Sequence, residues 1–263
     1  MATSYHNHTV LSDGRQDIAE LLEAARVLKL TEVGISDHLV LHPEGKVFRW
    51  GMTYDCLGAY VREVQEAARS AEPTLRLGLE ADFFPETVER LRPMLEAHPF
   101  DYVIGSVHFA GGFMVDSSRE DWEKLLPEER QAKWDLYWEL VRQMAESRVF
   151  DFAAHLDLPK RFGCRDSEAV SRGARSALGA IAAADMAIEI NTSGWYLPAQ
   201  ESYPSAALLR EARARSIPIV INADAHEAEN LSRGFVRARE LARECGYTET
   251  VRYERRRRIA VPL

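Results

Sequence analysis

Six histidines and three carboxylates in this chain stand where apolar runs stop. His6 and His8 lie two apart, His38 follows Asp37, and His108, His155 and His226 each close a hydrophobic stretch. Asp13, Glu80 and Asp224 occupy comparable points. Side chains at i and i+2 of a strand project from one face, so His6 and His8 can grip one ion together. Such a pair is weak evidence alone, because an isolated histidine is more often a core or surface residue. Its weight comes from number: of eight histidines only His42 and His98 fall elsewhere, in a loop and at a helix end. Gathering so many ionisable groups is costly unless cations compensate them. Imidazole and carboxylate donors suit zinc, manganese or iron, and the lack of thiolate donors speaks against a structural zinc site. Nine donors at about three per ion, with Glu80 able to bridge, predict two or three divalent metal ions.

These residues need a scaffold that presents strand ends together. Strands are expected over 4–8, 31–36, 75–79, 101–107, 149–154 and 186–190, with a seventh in the apolar run that opens 217–226. Ile18, Leu21, Leu22, Ala25 and Leu28 mark the first amphipathic helix; others are expected over 54–70, 85–96, 128–147, 167–184, 204–216 and 231–245. Long loops cover 41–51, which has the length and aromatic content of a lid, and the polar stretch from Gly111 to Asp121. A last strand is expected near 248–261, with Arg255 to Arg258 on a solvated face or edge. Strands alternating with helices mean parallel βαβ units. The fold class is therefore α/β, a distorted (β/α)7 TIM-like barrel forming one domain over 1–263. In such barrels the carboxyl ends of the strands face the active site. No G-x-G-x-x-G follows the first strand, which removes a dinucleotide site.

Composition sets the outer bounds. Apolar residues make up 46% and charged residues 28%, ordinary values for a globular chain. No apolar run approaches ~20 residues, so no membrane span is expected, and no basic-then-apolar leader opens the chain. Cys56, Cys164 and Cys245 are odd in number and far apart, which fits a reduced, cytoplasmic compartment. A net charge of −8 argues against a nucleic-acid surface but allows a phosphorylated substrate, since bound cations invert the local field. Oligomeric state is not legible.

The motifs His6-Asn7-His8, Ser12-Asp13-Gly14, Ser36-Asp37-His38, Gly78-Leu79-Glu80-Ala81-Asp82, Gly105-Ser106-Val107-His108, the segment 155–160 and Ala223-Asp224-Ala225-His226 together resemble the polymerase and histidinol phosphatase family of metal-dependent phosphoesterases. The likeness covers essentially the whole chain. Segments 101–108, 155–163, 189–194 and 261–263 resemble its histidinol-phosphate phosphatase branch. That resemblance implies one metal on His6, His8, Glu80 and Asp224, a second on Glu80, His108 and His155, and a third on Asp13, His38 and His226. One departure stands out: that branch often carries a histidine shortly after its H-x-H, where this chain has Asp13, as many other family members do.

The implied activity is hydrolysis of a small phosphomonoester, L-histidinol phosphate of histidine biosynthesis being favoured, by in-line attack of a hydroxide bridging two ions. Glu80, Asp224, His226 and Arg161 are the candidate catalytic residues; Lys160, Arg161, Arg233, Asn191 and Ser193 are the candidates for holding substrate, with Arg161 the preferred phosphate clamp. Asp37, Asp82 and Asp157 are candidates for orienting imidazoles. Trp50, Phe109, Phe113, Trp122 and Trp195 are candidates for a pocket wall. Other readings are a relative acting on nucleotides, nucleic-acid ends or other phosphomonoesters, an amidohydrolase, and a non-catalytic metal-binding module.

Overall fold

Seven parallel strand positions follow one another round a closed barrel, most of them buried along their length. The structure is a computed structural model and describes residues 2–263. In chain order the elements are β1 (Thr3–Ser4), α1 (Ile18–Val27), β2 (Glu32–Ile35), β3 (His38–Leu39), α2 (Leu57–Ala68), β4 (Thr74–Leu77), β5 (Glu80–Asp82) and α3 (Val88–Glu96). Next come β6 (Ile104–Ser106), the hairpin β7 (Phe109–Ala110) and β8 (Phe113–Met114), α4 (Arg119–Glu123), α5 (Pro127–Ser147) and β9 (Phe152–Ala153). The chain ends with α6 (Arg172–Ala183), β10 (Ala187–Asn191), α7 (Ala206–Ala214), β11 (Ile219–Asn222), α8 (Phe235–Glu244), β12 (Glu249–Glu254) and β13 (Arg257–Pro262).

The second and third staves are each broken in two. β1, β2 and β4 form the lower part, whereas β3, β5, β6, β9, β10 and β11 continue the wall above. The breaks fall at Ser36-Asp37 and Gly78-Leu79, and hydrogen bonds cross them: Ser36 N–H to Asn7 O at 2.9 Å, Gly78 N–H to Ile35 O at 2.8 Å. Closure comes from the first and last staves. His8 N–H donates to Ala225 O at 2.9 Å and Ala225 N–H to His6 O at 3.1 Å, so the ring is sealed by the segments that carry candidate ligands.

Below the site the interior is filled, not hollow. Tyr5, Tyr102 and Phe152 pack with Tyr253, all buried, and β12 caps that end of the barrel. Gly34 and Gly78 make room for Tyr102, since a Cβ on either would lie within 2.1 Å of its ring or hydroxyl. The outer layer rests on α5, whose Trp134, Tyr137, Trp138, Val141 and Met144 are buried.

Four expectations change. The last strand is an antiparallel hairpin, because Arg255 and Arg256 turn the chain at φ 50° and 64°. That turn has no glycine or asparagine signal; it is held from afar by Asp101, which accepts from Arg255 N–H at 2.9 Å and Arg256 N–H at 2.8 Å. The helix expected from Pro85 starts at Val88. The helices expected from 167 and 204 start at Arg172 and Ala206, after the capping hydroxyls of Ser171 and Ser205.

Candidate metal centre

His6 and His8 are fully buried and face the barrel interior, while Asn7 between them points into the wall. The Asn7 amide donates to Ser4 O at 3.0 Å and Gly34 O at 2.8 Å, which fixes that alternation. After His8 the chain folds sharply back, so close that a Cβ on Gly14 would stand 2.2 Å from the His8 carbonyl oxygen. Asp37 braces this loop, accepting from Thr9 N–H and Thr9 Oγ1, each at 2.7 Å, and from Ser12 Oγ. Asp13 is thereby delivered to the rim. Across the barrel Asp224 is held at φ 54°, a left-handed conformation uncommon outside glycine.

Glu80 is the centre of the cluster. It pairs in register with His38 on the neighbouring strand. Its Oε2 lies 3.0 Å from His6 Nε2, 3.5 Å from His8 Nε2 and 2.9 Å from His38 Nδ1. Its Oε1 lies 3.1 Å from His155 Nε2 and 3.7 Å from His108 Nε2. One carboxylate thus serves two sets of imidazoles. Asp224 Oδ1 lies 3.3 Å from His8 Nε2 and 3.5 Å from His6 Nε2, and Asp13 Oδ1 lies 3.2 Å from His226 Nε2 and 3.7 Å from His38 Nε2.

All nine candidate ligands therefore converge. Their donor atoms form four groups that could hold a metal ion: His6, His8 and Asp224; His6, Glu80 and His155; His38, Glu80 and His108; and His8, Asp13, His38 and His226. His108 and His155 share Glu80 but gather with different imidazoles, and His8 also joins the Asp13 group.

His8 has the chemistry of a metal ligand. His8 has neither ring nitrogen hydrogen-bonded although it is fully buried, and His38 and His226 stack on it at 4.2 and 4.3 Å. Burial, then the neighbouring His38 and His226, push its pKa down to about 3. A neutral, desolvated imidazole with unshared nitrogens is what a metal ion requires. Burial alone would raise Glu80, yet His38 and His6 hold it well below the usual carboxylate range, so it stays an anion. Burial opposes charge on His108 as well, but the adjacent Asp82 outweighs it and lifts the group to about 10.

The imidazoles are also oriented from behind. His108 Nδ1 lies 2.8 Å from Asp82 Oδ1, leaving Nε2 toward Glu80. His6 Nδ1 lies 2.8 Å from Glu189 Oε1, and Glu189 in turn accepts from Asn222 Nδ2 at 2.9 Å, Asn191 Nδ2 at 3.0 Å and His155 N–H at 3.0 Å. Sequence reasoning gave Glu189 no role. The available signal was a carboxylate flanked by the apolar Ile188 and Ile190 in the buried strand β10. Of the other two aspartates considered for this task, Asp37 braces the Asp13 loop, whereas Asp157 pairs with Lys160 Nζ at 2.9 Å and turns away from the imidazoles.

The pocket over the cluster is about 210 Å³ and includes Arg161, Trp50, Met114, Asp116 and Leu158 in its wall. Arg161 Nε is buried without a hydrogen-bond partner, and no ion pair among the described residues uses its guanidinium. Lys160 is elsewhere: its ammonium is consumed by Asp157, by Glu201 Oε2 at 3.1 Å and by Ser202 O at 2.7 Å. Arg233 lies over the Tyr196 ring at 4.3 Å and does not line this pocket. Asn191 bonds Glu189 and, at 3.2 Å, Asp224 Oδ2, while Ser193 Oγ donates back to Asn191 at 2.6 Å. These two shape the wall instead of reaching into the pocket.

Of the aromatics, Trp50 meets the edge of His38 at 4.9 Å and is backed by Phe48 and Phe109. Phe113 packs on Trp122, and Trp195 under Arg237, away from the pocket. His42 packs among Phe48, Phe84 and Phe109 and is not a ligand candidate.

A parallel barrel with a histidine–carboxylate cage at the carboxyl mouth of its strands defines the class of metal-dependent barrel proteins. The sequence profile of the PHP domain matches residues 4–193, and the chain belongs to that family. A Deinococcus radiodurans protein named "Probable histidinol-phosphatase" is 36% identical over 241 residues, 90% of each chain. A Lactococcus lactis protein named "Histidinol-phosphatase" is 24% identical over 253 residues, covering 93% of this chain and 91% of its own length. The solved structure of histidinol phosphate phosphatase from Lactococcus lactis, complexed with zinc, L-histidinol and phosphate, superposes with a TM-score of 0.81 at 21% identity over 98% of both chains. The family profile ends before β11, so the seventh stave with Asp224 and His226 lies beyond the matched span.

Proposed function

We propose that this protein is a metal-dependent phosphomonoester hydrolase and that L-histidinol phosphate is its substrate. The observation that carries the reading is Glu80, with its two oxygens turned to two sets of imidazoles directly beneath the unpaired guanidinium-lined pocket. The Deinococcus relative's name and the Lactococcus structure's zinc, histidinol and phosphate support the substrate.

By their pairwise approaches, His6, His8, Glu80 and Asp224 would hold one ion, Glu80 with His108 and His155 a second, and Asp13, His38 and His226 a third. Bound divalent ions would supply fixed positive charge for the phosphoryl oxygens and lower the barrier to attack by water on phosphorus. The protein's own groups do the rest. Glu189 and Asp82 accept from His6 Nδ1 and His108 Nδ1, which fixes the tautomer that leaves each Nε2 lone pair facing inward. Arg161 offers parallel N–H donors for two phosphoryl oxygens. Trp50 and Leu158 wall the pocket and limit access of bulk water. The three cysteines are unpaired, which suits the reducing cytoplasm we propose for it.

The test is phosphate release from L-histidinol phosphate, p-nitrophenyl phosphate and a nucleoside monophosphate, using metal-stripped protein refilled with manganese or zinc. Preference for histidinol phosphate is expected. Equal or better turnover of the nucleotide would overturn the substrate, and no metal-dependent turnover of any ester would overturn the activity.

A further inference from the structure

Asn191 is a substrate contact by sequence expectation, yet the fold buries it completely behind the candidate ligands. It pairs in register with Asn222 on β11. Its backbone also exchanges hydrogen bonds with Tyr203, Asn191 N–H to Tyr203 O at 2.6 Å and Tyr203 N–H to Asn191 O at 3.0 Å. The side-chain carbonyl accepts from Ser193 N–H at 2.9 Å and Ser193 Oγ at 2.6 Å. The side-chain amide donates to Glu189 Oε2 at 3.0 Å and to Asp224 Oδ2 at 3.2 Å. A flipped amide would turn its oxygen onto two carboxylates and its NH2 onto a backbone N–H, so chemistry settles the orientation. Both side-chain N–H groups are spent, and no donor is left for a substrate.

Asp224 is the candidate ligand that most needs such a brace. It stands on a left-handed backbone, φ 54°, and turns Oδ1 toward His8 Nε2 at 3.3 Å and His6 Nε2 at 3.5 Å. Its other oxygen is the one Asn191 holds. From this we infer that Asn191 is a positioning residue for the metal centre: by occupying Oδ2 it presents Asp224 through Oδ1 alone to the ion shared with His6 and His8. Glu189 depends on Asn191 less, because it also accepts from His155 N–H at 3.0 Å and Asn222 Nδ2 at 2.9 Å. Loss of the Asn191 amide therefore falls mainly on Asp224. Ser193 completes the device from behind, since its two donors keep the amide from turning over. The inference rests on the metal-centre reading above and adds the residue that sets how Asp224 meets its ion.

The experiment is equilibrium dialysis of metal-stripped protein against graded manganese, with bound metal counted by elemental analysis. It compares wild type, Asn191→Ala, Asp224→Ala and the double variant. One class of ion should bind ~10–100-fold more weakly in Asn191→Ala, and the others as in wild type. That class should be the one Asp224→Ala loses, and the double variant should bind no worse than Asp224→Ala alone, because the two residues act as a unit. Saturating manganese should restore most of the wild-type kcat to Asn191→Ala, with KM for p-nitrophenyl phosphate unchanged, which loss of a substrate contact would not allow. Ser193→Ala leaves the Asn191 amide in place with one donor fewer behind it and should weaken the same class by a smaller factor. Wild-type affinity for every ion in Asn191→Ala, an equal fall of all of them, or a KM rise that excess metal does not reverse overturns the positioning role. Where Asn191→Ala does not fold, wild-type affinities in Ser193→Ala overturn it. A wild-type chain that retains no ion overturns the metal centre itself.

Discussion

Glu80 and Glu189 are both buried glutamates, on β5 and β10, yet they have different tasks. Glu80 faces five imidazoles and Glu189 faces the back of one. Glu80→Gln removes the charge that would bridge ions, and a fall in turnover of roughly a thousandfold or more is expected with loss of bound metal. Glu189→Gln should cost less, ~10–100-fold in activity or metal affinity, because Glu189 acts through the orientation of His6 and the groups beside it and does not face the other imidazoles. Metal content and kcat measured on the same preparations separate the two. Arg161→Lys keeps the charge but loses the fork, so KM for phosphate esters should rise by ~10-fold; an unchanged KM would remove Arg161 from the clamp. Lys160→Met should act on stability instead, since its ammonium is already spent on Asp157 and Glu201. That exchange of roles explains what the sequence could and could not convey here. Lys160 and Arg161 are adjacent and alike on paper; Asp157 and the distant Glu201 and Ser202, brought up by the fold, tell them apart.

At the level of elements, strand ends were readable because the change from β-branched apolar residues to histidine or aspartate is abrupt, as in Ile219–Asn222 followed by Asp224 and His226. The closing hairpin was not, because its turn depends on Asp101 and not on turn-forming residues. Nor were the broken second and third staves, the third interrupted at Gly78, which packs on Tyr102. Gly78→Ala would put a Cβ 2.1 Å from the Tyr102 ring, and a loss of ~1–3 kcal/mol in denaturant unfolding is expected from such overpacking. No loss would mean that β4 and β5 can part without strain. Asp224→Asn should keep the left-handed backbone that asparagine tolerates, whereas Asp224→Ala should add about 1 kcal/mol of destabilisation beyond it. Both should lose activity, so only the stability readout discriminates.

Across the whole molecule the active mouth and the opposite end carry different electrostatics. At the far end Glu32 accepts from Tyr5 at 2.5 Å and meets Arg76 and Arg252 at 3.2 and 3.0 Å. Burial would raise Glu32, but Arg76 and Tyr5 prevail and hold it below its ordinary value. The unfolded chain therefore binds that proton more readily than the folded one. The stabilisation is complete above the ordinary glutamate pKa of 4.5 and is lost as pH falls through the lower folded value. Glu32→Gln should flatten this acid limb and cost about 3 kcal/mol near neutral pH, read from urea unfolding at a series of pH values. An acid limb identical to wild type would remove Glu32 from it. The central proposition concerns the other mouth, where nine side chains distant in sequence meet. Elemental analysis of metal-stripped protein refilled with manganese or zinc and freed of excess tests it most directly. Uptake of two or three ions per chain, reduced in Glu80→Gln, is the predicted result; a wild-type chain that retains no ion would contradict it.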